Sequence, residues 1–293
     1  MSPSEAARVA ESMLRVDSQT LSSAQQLTSA DARREIQLLL THALGIDLAG
    51  LLAHPERIPE ARASQRYLDL LARRLGGEPM AYILGVREFY GRSFEVTADV
   101  LIPRPETELL VDLALELIPE RSERRVLDLG TGSGCIGITL AKQRRELKVI
   151  ATDASKAALA VAARNVALHA AYNVELRAGS WFKPVAGLRF DLIVSNPPYV
   201  AEDDPHLGEG DLRFEPRAAL SAGTDGLTAL DLIIAGAPQH LKAGGWLLVE
   251  HGYEQSDAVT RLLRAREFAE VVVRKDLSGI SRVAAGRLLE ATP

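Results

Sequence analysis

The chain has 293 residues, 47% of them hydrophobic, which is enough to bury the core of one large or two moderate domains. Its 34 basic and 39 acidic residues give a net charge of −5, which disfavours broad binding to nucleic acid or to an anionic membrane. The single cysteine, Cys135, excludes an internal disulfide and a cysteine-based metal cluster, and it fits a reducing compartment such as the cytoplasm.

Targeting and membrane signals are absent from the sequence pattern. The first residues, MSPSEAARVAESMLRV, lack the basic start and continuous apolar stretch of an export signal. No later stretch approaches the roughly 20 apolar residues of a membrane span. The histidines are scattered without the spacing of metal ligands. We therefore expect a cytoplasmic protein with neither a membrane anchor nor a metal site.

Residues 1–85 are predicted to form a small helical domain. In TSADARREIQLLLTHALGID, Thr28 and Asp31 resemble a capping box, apolar residues recur at helical spacing, and Gly45 ends the pattern. A second helix is predicted in ARASQRYLDLLARRLGGEP, where the apolar stripe is Leu68, Leu71 and Leu75.

A connector is predicted next, within AYILGVREFYGRSFEVTADVLIPRPETELL. Apolar residues alternate around Gly91, which predicts a short β-hairpin. Pro103 and Pro105 then force an extended path into a helix that begins near Glu106. With this connector, residues 86–293 are expected to form the second and larger domain.

Strands and helices alternate through the rest of the chain. Near-continuous apolar strands such as RVLDLG, LKVIATD and FDLIVSN lie between amphipathic helices, which is the pattern of a doubly wound parallel sheet. The last two strands, AEVVVRKDL and SRVAAGRLLE, are close in sequence and are therefore expected to pair antiparallel. The fold class predicted for this domain is α/β.

A glycine-rich turn follows the first of these strands, in RVLDLGTGSGCIGITLA. Glycines at this position let the backbone approach a ligand, with helix N–H groups directed at it. Gly132, Gly134 and Gly137 also satisfy the dinucleotide pattern G-x-G-x-x-G, and Asp153 follows at about the required 20 residues. The carboxylate of Asp128 favours S-adenosylmethionine, because it would repel a pyrophosphate and attract ammonium and sulfonium charges. The glycines alone leave both ligands open.

Two further groups are placed to complete a nucleoside site. Asp153, at the end of the second strand, can accept hydrogen bonds from ribose hydroxyls, or it can serve only as the N-cap of the next helix. In GSWFKP, Trp181 and Phe182 follow the third strand, at the edge where open sheets bind ligands. Either could supply a flat apolar wall for adenine, although aromatic residues also serve as core.

The strand FDLIVS ends abruptly in the sequence Asn-Pro-Pro-Tyr. The Asn196 side-chain oxygen and an unpaired backbone carbonyl can accept both N–H groups of a planar amide, while Pro197 and Pro198 stiffen the turn. Tyr199 can stack on the planar group. Methyl transfer to an amide nitrogen demands such alignment and close approach. The same geometry suits the amino group of adenine or cytosine, so these residues by themselves do not distinguish the substrates.

Taken together, six motifs resemble the PrmC/HemK family, the peptide chain release factor N5-glutamine methyltransferases. They are GEPMAYILGVREFYG, VLIPRPETELLVD, DLGTGSGCIGI, SNPPYV, RFEPRAAL and LLVEHG. The resemblance covers nearly the whole chain from Gly77 onward. It implies a class I S-adenosylmethionine-dependent methyltransferase, with a Rossmann-like doubly wound sheet and an antiparallel last strand, preceded by a helical domain.

The resemblance also implies roles for individual residues. The donor loop comprises Gly130, Thr131, Gly132, Ser133 and Gly134, with Asp128 beside it. Asp153 takes the ribose and Trp181 lines the adenine pocket. Asn196 meets both donor and glutamine, and Pro197, Pro198 and Tyr199 hold the target amide. Arg104 and Glu106 belong to the rim of the site.

The implied reaction is methylation of the glutamine of the Gly-Gly-Gln loop in class-I release factors. The helical domain, residues 1–85, is then expected to bind the release factor, and the protein is expected to act as a monomer without direct nucleic-acid binding. A nucleic-acid adenine or cytosine amino-methyltransferase is the alternative. The acidic net charge and the lack of a recognisable basic domain count against it.

Overall fold

The computed structural model describes residues 29–53, 59–119 and 123–289. Within them the chain divides into two compact units. The smaller unit contains the described residues up to Gly85 and the later segment Gly208–Phe214. The larger unit contains Val86–Leu207 and the described residues from Glu215 onward. In the part of the chain that the structure describes, none of the helices combines the length and apolar character needed to cross a membrane.

The smaller unit is helical. Its helices are Ser29–Leu44, Leu48–Ala53, Ala61–Leu75 and Met80–Leu84. Gly45 ends the first helix in a left-handed conformation with φ +67°. Segment Gly208–Phe214 joins this unit through Arg213, whose Nη2 donates to the Gly76 carbonyl at 3.1 Å. Thr28, one half of the predicted capping box, lies outside the described residues.

The buried face of helix Ala61–Leu75 differs from the predicted leucine stripe. Leu71 is buried as expected, but Leu68 is 46% exposed, and its place in the core is taken by Tyr67 and Leu70. The prediction for Leu68 was wrong because it chose leucines alone. The helix instead turns its aromatic Tyr67 inward, one residue earlier in the sequence, onto the first helix.

The larger unit opens with the predicted hairpin. Strands β1 (Val86–Phe89) and β2 (Arg92–Glu95) pair antiparallel. Tyr90 and Gly91 form the two-residue turn with φ of +54° and +70°, as tight hairpins require. A short 3-10 turn, Pro105–Thr107, then leads into helix Glu108–Leu117.

Seven strands form the main sheet. They are β3 (Arg125–Leu129), β4 (Lys148–Asp153), β5 (Val174–Ala178), β6 (Phe190–Ser195), β7 (Leu241–Glu250), β8 (Phe268–Lys275) and β9 (Ser281–Leu288). Their spatial order is β5-β4-β3-β6-β7-β9-β8. The first five are mutually parallel, and β9 runs antiparallel to both β7 and β8. The expected doubly wound sheet with an antiparallel last strand is therefore confirmed.

Helices cover both faces of this sheet. One face carries Glu108–Leu117, Cys135–Gln143 and Lys156–Leu168, and the other carries Thr228–His240 and Ser256–Ala265. Successive strand residues face opposite cores: Leu192 and Val194 pack on one side and Ile193 on the other. Burial on both faces explains why the strands are apolar throughout rather than alternating.

The hairpin is fastened to the larger unit by a buried asparagine. Asn165 accepts from the Glu95 backbone N–H at 2.7 Å and donates to the Glu95 carbonyl at 2.9 Å. Its Nδ2 also donates to the carbonyl of Ser133 at 2.9 Å. One fully buried side chain thus joins the connector to the glycine turn after β3.

We expect Asn165→Ala to lower the free energy of unfolding by about 3 kcal/mol, because it leaves buried N–H and C=O groups unpaired. The urea midpoint of the full chain, followed by tryptophan fluorescence, measures the loss. Tyr172→Ala is the control, since Tyr172 is 84% exposed. Equal midpoints for the Asn165→Ala variant and the unaltered protein would contradict the anchoring role.

Candidate active site

A cavity of about 310 Å³ lies at the carboxyl ends of β3, β4 and β6. Its wall combines the glycine turn, Asp153, Trp181, Asn196 and the proline-rich connector that includes Arg104 and Thr107. All of these belong to the larger unit. Parallel strands bring loops that are distant in sequence to one edge, and ligands of open α/β sheets bind there.

The glycine turn adopts a backbone that other residues would strain. Gly130, Gly132 and Gly134 have φ of +70°, +55° and +84°. A Cβ on Gly134 would lie 2.8 Å from Ile138 Cδ1, so the turn packs tightly against its own helix. A Cβ on Gly132 would meet nothing within 4 Å, so this part of the backbone faces open space. Thr131 and Ser133 are buried and also line the cavity.

Asp128 lies beneath this turn rather than on the cavity wall. Its Oδ2 accepts from the Thr131 hydroxyl at 2.6 Å and from the Gly137 N–H at 3.0 Å. Burial raises the pKa of Asp128 to about 6, and the hydrogen bonds with Thr131 and Gly137 oppose that rise. The side chain thus holds the loop in shape, and its attraction for the positive charges of S-adenosylmethionine stays a prediction.

Asp153 does line the cavity and also organises the turn. Its Oδ2 accepts from the Gly132 N–H at 2.9 Å, and its Oδ1 accepts from the Ser155 N–H at 2.8 Å. The N-cap of the following helix is Ser155, whose Oγ accepts from the Ala158 N–H at 3.1 Å. The capping role that Asp153 could have had therefore belongs to Ser155.

The two aromatic residues after β5 have different environments. Trp181 lines the cavity, with a backbone φ of +47° that is uncommon for a bulky residue. Both rings are partly buried against the same core, but Phe182 does not line the cavity and stacks on His240, with ring centroids 4.6 Å apart. The adjacent positions could not be told apart from the sequence, because both residues are large and apolar.

Asn196 presents an open acceptor. Its Nδ2 donates to the Thr107 hydroxyl oxygen at 3.1 Å, whereas its buried Oδ1 has no hydrogen-bond partner among the described residues. An unpaired buried acceptor is unfavourable unless a ligand completes it. Pro198 lines the cavity beside Asn196, while Pro197 is buried behind the wall.

Tyr199 also lies behind the cavity wall. Its hydroxyl donates to Glu250 Oε1 at 3.1 Å, and its backbone carbonyl accepts from Gln255 Nε2 at 2.9 Å. Burial, and then the charge of Glu250, raise the pKa of Tyr199. The phenol is thus neutral and serves as a donor to the carboxylate.

The connector contributes more to the site than its motif indicated. Arg104 lines the cavity and pairs with Glu215, whose side chain is fully buried and whose Oε2 accepts from the Ile102 N–H at 3.0 Å. Glu106, by contrast, is exposed and does not line the cavity. Sequence reasoning missed Thr107, Glu215 and Glu250, because nothing in their local pattern shows that distant segments meet.

Two other reactive side chains are poor candidates for chemistry. Cys135 lines the cavity, but burial raises the pKa of its thiol to about 12, so it stays protonated. His251 is buried outside the cavity wall, and its Nδ1–H donates to the Gly252 carbonyl at 2.8 Å. Burial lowers the pKa of His251 and keeps it neutral.

Comparison with known proteins agrees with this architecture. The sequence matches the methyltransferase small domain family over residues 107–209 and the PrmC N-terminal domain family over residues 18–85. A solved structure of a methyltransferase from Pyrococcus furiosus is 18% identical, with a TM-score of 0.53 over 76% of this chain and 99% of that chain. At this identity the likeness concerns the fold alone.

Relatives of similar length are more informative. The release factor glutamine methyltransferase of Xylella fastidiosa strain Temecula1 is 48% identical over 87% of this chain and 93% of its own. That of Bordetella pertussis strain Tohama I is 50% identical over 87% of this chain and 95% of its own. The chain therefore belongs to the PrmC/HemK family of release factor glutamine methyltransferases.

Proposed function

We propose that this protein transfers the methyl group of S-adenosylmethionine to the side-chain N5 of a glutamine, the one in the Gly-Gly-Gln motif of class-I release factors. The observation that carries the proposal is the unpaired, buried Oδ1 of Asn196 beside the cavity. A primary amide brings two N–H groups to such an acceptor. Family membership names the protein class that carries the amide.

The residues of the cavity fit the donor. Gly130 and Gly132 leave the wall free of side chains, and a Cβ on Gly130 would come within 3.8 Å of the Trp181 ring. The ring therefore faces the glycine turn, as a wall for adenine would. Each Asp153 oxygen already accepts one N–H, and a carboxylate has lone pairs left for ribose hydroxyls. When bound, S-adenosylmethionine supplies an electrophilic methyl on a sulfonium.

The target nitrogen is a weak nucleophile, because its lone pair is delocalised into the carbonyl. The chain can compensate only by alignment, close approach and exclusion of water. Asn196 Oδ1 accepts one amide N–H, and a backbone carbonyl of the stiff Pro197-Pro198 turn is proposed to accept the other. Tyr199 backs this turn and is fixed by Glu250. After transfer the extra proton leaves to water, since His251 lies outside the cavity wall.

The smaller unit is proposed to bind the body of the release factor and so to select one glutamine among many. Leu48 and Leu52 are one helical turn apart on helix Leu48–Ala53 and are 46% and 63% exposed. Exposed apolar side chains on one helix face suit contact with a protein.

We also propose that the protein is monomeric and cytoplasmic. Light scattering tests the monomeric state, because it should give the mass of a single chain.

The central prediction concerns Asn196. With purified release factor and labelled donor, mass spectrometry is expected to place one added methyl on the Gly-Gly-Gln glutamine. Asn196→Ala should lower kcat by about a hundredfold, since it removes an acceptor needed in the transition state, while donor affinity falls less than about tenfold. A methyl found on DNA or RNA and not on release factor would instead favour the amino-methyltransferase reading.

Donor binding depends on Asp153. We expect Asp153→Asn to weaken S-adenosylmethionine binding about tenfold in calorimetry, because charge-assisted hydrogen bonds are lost. Asp191→Asn is the matched control. Asp191 lies near the start of β6, does not line the cavity, and pairs with Arg124 and Lys242. NADH should not bind. Tight binding of NADH without a response to S-adenosylmethionine would rule out the proposal.

The proposed binding of the release factor by the smaller unit is tested by comparing a large and a small substrate. Replacing Leu48 and Leu52 together by Glu should raise KM for intact release factor about tenfold, while KM for a short Gly-Gly-Gln peptide stays unchanged. Leu168→Glu is the control, because Leu168 is 64% exposed on the larger unit. An equal rise for the peptide would show that the leucines do not act in docking.

A further inference from the structure

Thr107 links Asn196 to the interior of the larger unit. It is the last residue of the 3-10 turn Pro105–Thr107 and is only 1% exposed. Its hydroxyl oxygen accepts from Asn196 Nδ2 at 3.1 Å. A hydroxyl has one proton to donate and two lone pairs to accept with, so the direction of its own donation determines what it can do for Asn196.

The Thr107 hydroxyl stabilises the charged form of Glu250 and so opposes the rise that burial causes in the pKa of that carboxyl. Glu250 is 1% exposed at the end of β7, and its Oε1 accepts from the Tyr199 hydroxyl at 3.1 Å. An ionised carboxylate only accepts, so a hydroxyl that stabilises its charge turns its proton toward it. The Thr107 oxygen is then left as an acceptor, and the end of the Asn196 carboxamide that faces it has to be the NH2 end.

We propose that Glu250 acts through Thr107 as a positioning residue, which fixes the Asn196 carboxamide with its oxygen available to the substrate amide. The inference rests on the proposed function and deepens it. The two ends of a carboxamide are nearly alike in shape, so only hydrogen bonding distinguishes them. In the reversed orientation Asn196 would present N–H groups to the N–H groups of the target, leaving buried donors unpaired.

The orientation of the Asn196 carboxamide depends on whether Glu250 is ionised. Burial raises its pKa to about 7, whereas hydrogen bonds with Thr107 and Tyr199 and the charge of Arg282 oppose the rise and Glu106 adds to it. The charge of Glu250 also acts on Cys135, and the charge of Arg104 acts on Tyr199. A protonated Glu250 can donate to Thr107, which frees the Thr107 proton for Asn196 Oδ1. The carboxamide is therefore oriented for catalysis in the ionised form, above about pH 7.

The test uses isosteric variants of the full chain. Thr107→Val and Glu250→Gln are each expected to lower kcat with release factor about tenfold to a hundredfold, while Thr107→Ser retains it. The dissociation constant of S-adenosylmethionine from calorimetry should change less than about threefold in both, because the donor loop is untouched. Thr139→Val is the control, since Thr139 is fully buried and its hydroxyl has no partner among the described residues.

A double variant tests whether the two residues act as one unit. If Glu250 works through Thr107, the combined Thr107→Val and Glu250→Gln variant loses no more than the worse single variant. If the fold-losses in kcat of the two single variants multiply in the double variant, the two residues act independently and the proposal is overturned. Single variants with the same kcat as the unaltered protein would overturn it as well. An unaltered protein that does not methylate release factor at all would instead contradict the proposed function.

The same hydrogen bonds predict a spectroscopic change that can be measured without catalysis. In the donor-free protein, the side-chain NH2 signals of Asn196, assigned by their loss in Asn196→Ala, should shift in NMR spectra as Glu250 titrates near pH 7. The shift should vanish in Glu250→Gln. In the unaltered protein kcat/KM should rise with pH to a plateau above about 7, and this limb should be absent from Glu250→Gln. A titration that persists in Glu250→Gln would assign it to another group and overturn the proposal.

Discussion

The parallel alignment of β4, β3, β6 and β7 is the constraint on which the rest of this structure depends. Because these strands run in the same direction, their carboxyl ends share one edge, and the glycine turn, Asp153, Asn196 and Glu250 come from four different strand ends. These segments are far apart in sequence, yet Asn196 reaches the connector, where its Nδ2 donates to the Thr107 hydroxyl oxygen at 3.1 Å.

Beneath this edge lies a layer of buried polar side chains that hold backbone in place. Asp128 shapes the glycine turn, Asn165 fastens the hairpin and Glu215 fastens the connector. Burying such groups costs free energy unless each is paired. Their pairing suggests that loop geometry, more than additional apolar contact, is what these positions maintain. Asp128 and Glu250 each keep one carboxylate oxygen without a partner among the described residues, and burial raises the pKa of both, to about 6 and about 7.

The reaction proposed for the cavity needs little general acid or base catalysis. Cys135 stays protonated and His251 lies outside the wall. In the proposed reaction the attacking nitrogen gives up its proton only after it is methylated. What remains for the protein is to orient an amide and to exclude water. Such a task depends on which end of a carboxamide faces the substrate, a distinction that a hydrogen-bond network makes and that shape alone does not.

Much of this could be predicted from the sequence, because periodicity, turns and glycines act locally. The parallel sheet between helices, the hairpin around Gly91 and the positions of Asp153 and Asn196 on the cavity wall follow from motifs a few residues long. The local pattern was less reliable in predicting which side chain points inward. It placed Leu68 in the core instead of Tyr67, and it did not show which of Trp181 and Phe182 lines the cavity.

Long-range pairing was decided only by the tertiary structure. The sequence contains Thr107, Glu215 and Glu250, but not the fact that Thr107 meets Asn196, that Glu215 meets Arg104 or that Glu250 receives the Tyr199 hydroxyl. It also could not show that Asp128 lies below the glycine turn rather than on the cavity wall. Residue type and spacing determine local backbone geometry, whereas contacts between segments depend on how the whole sheet assembles.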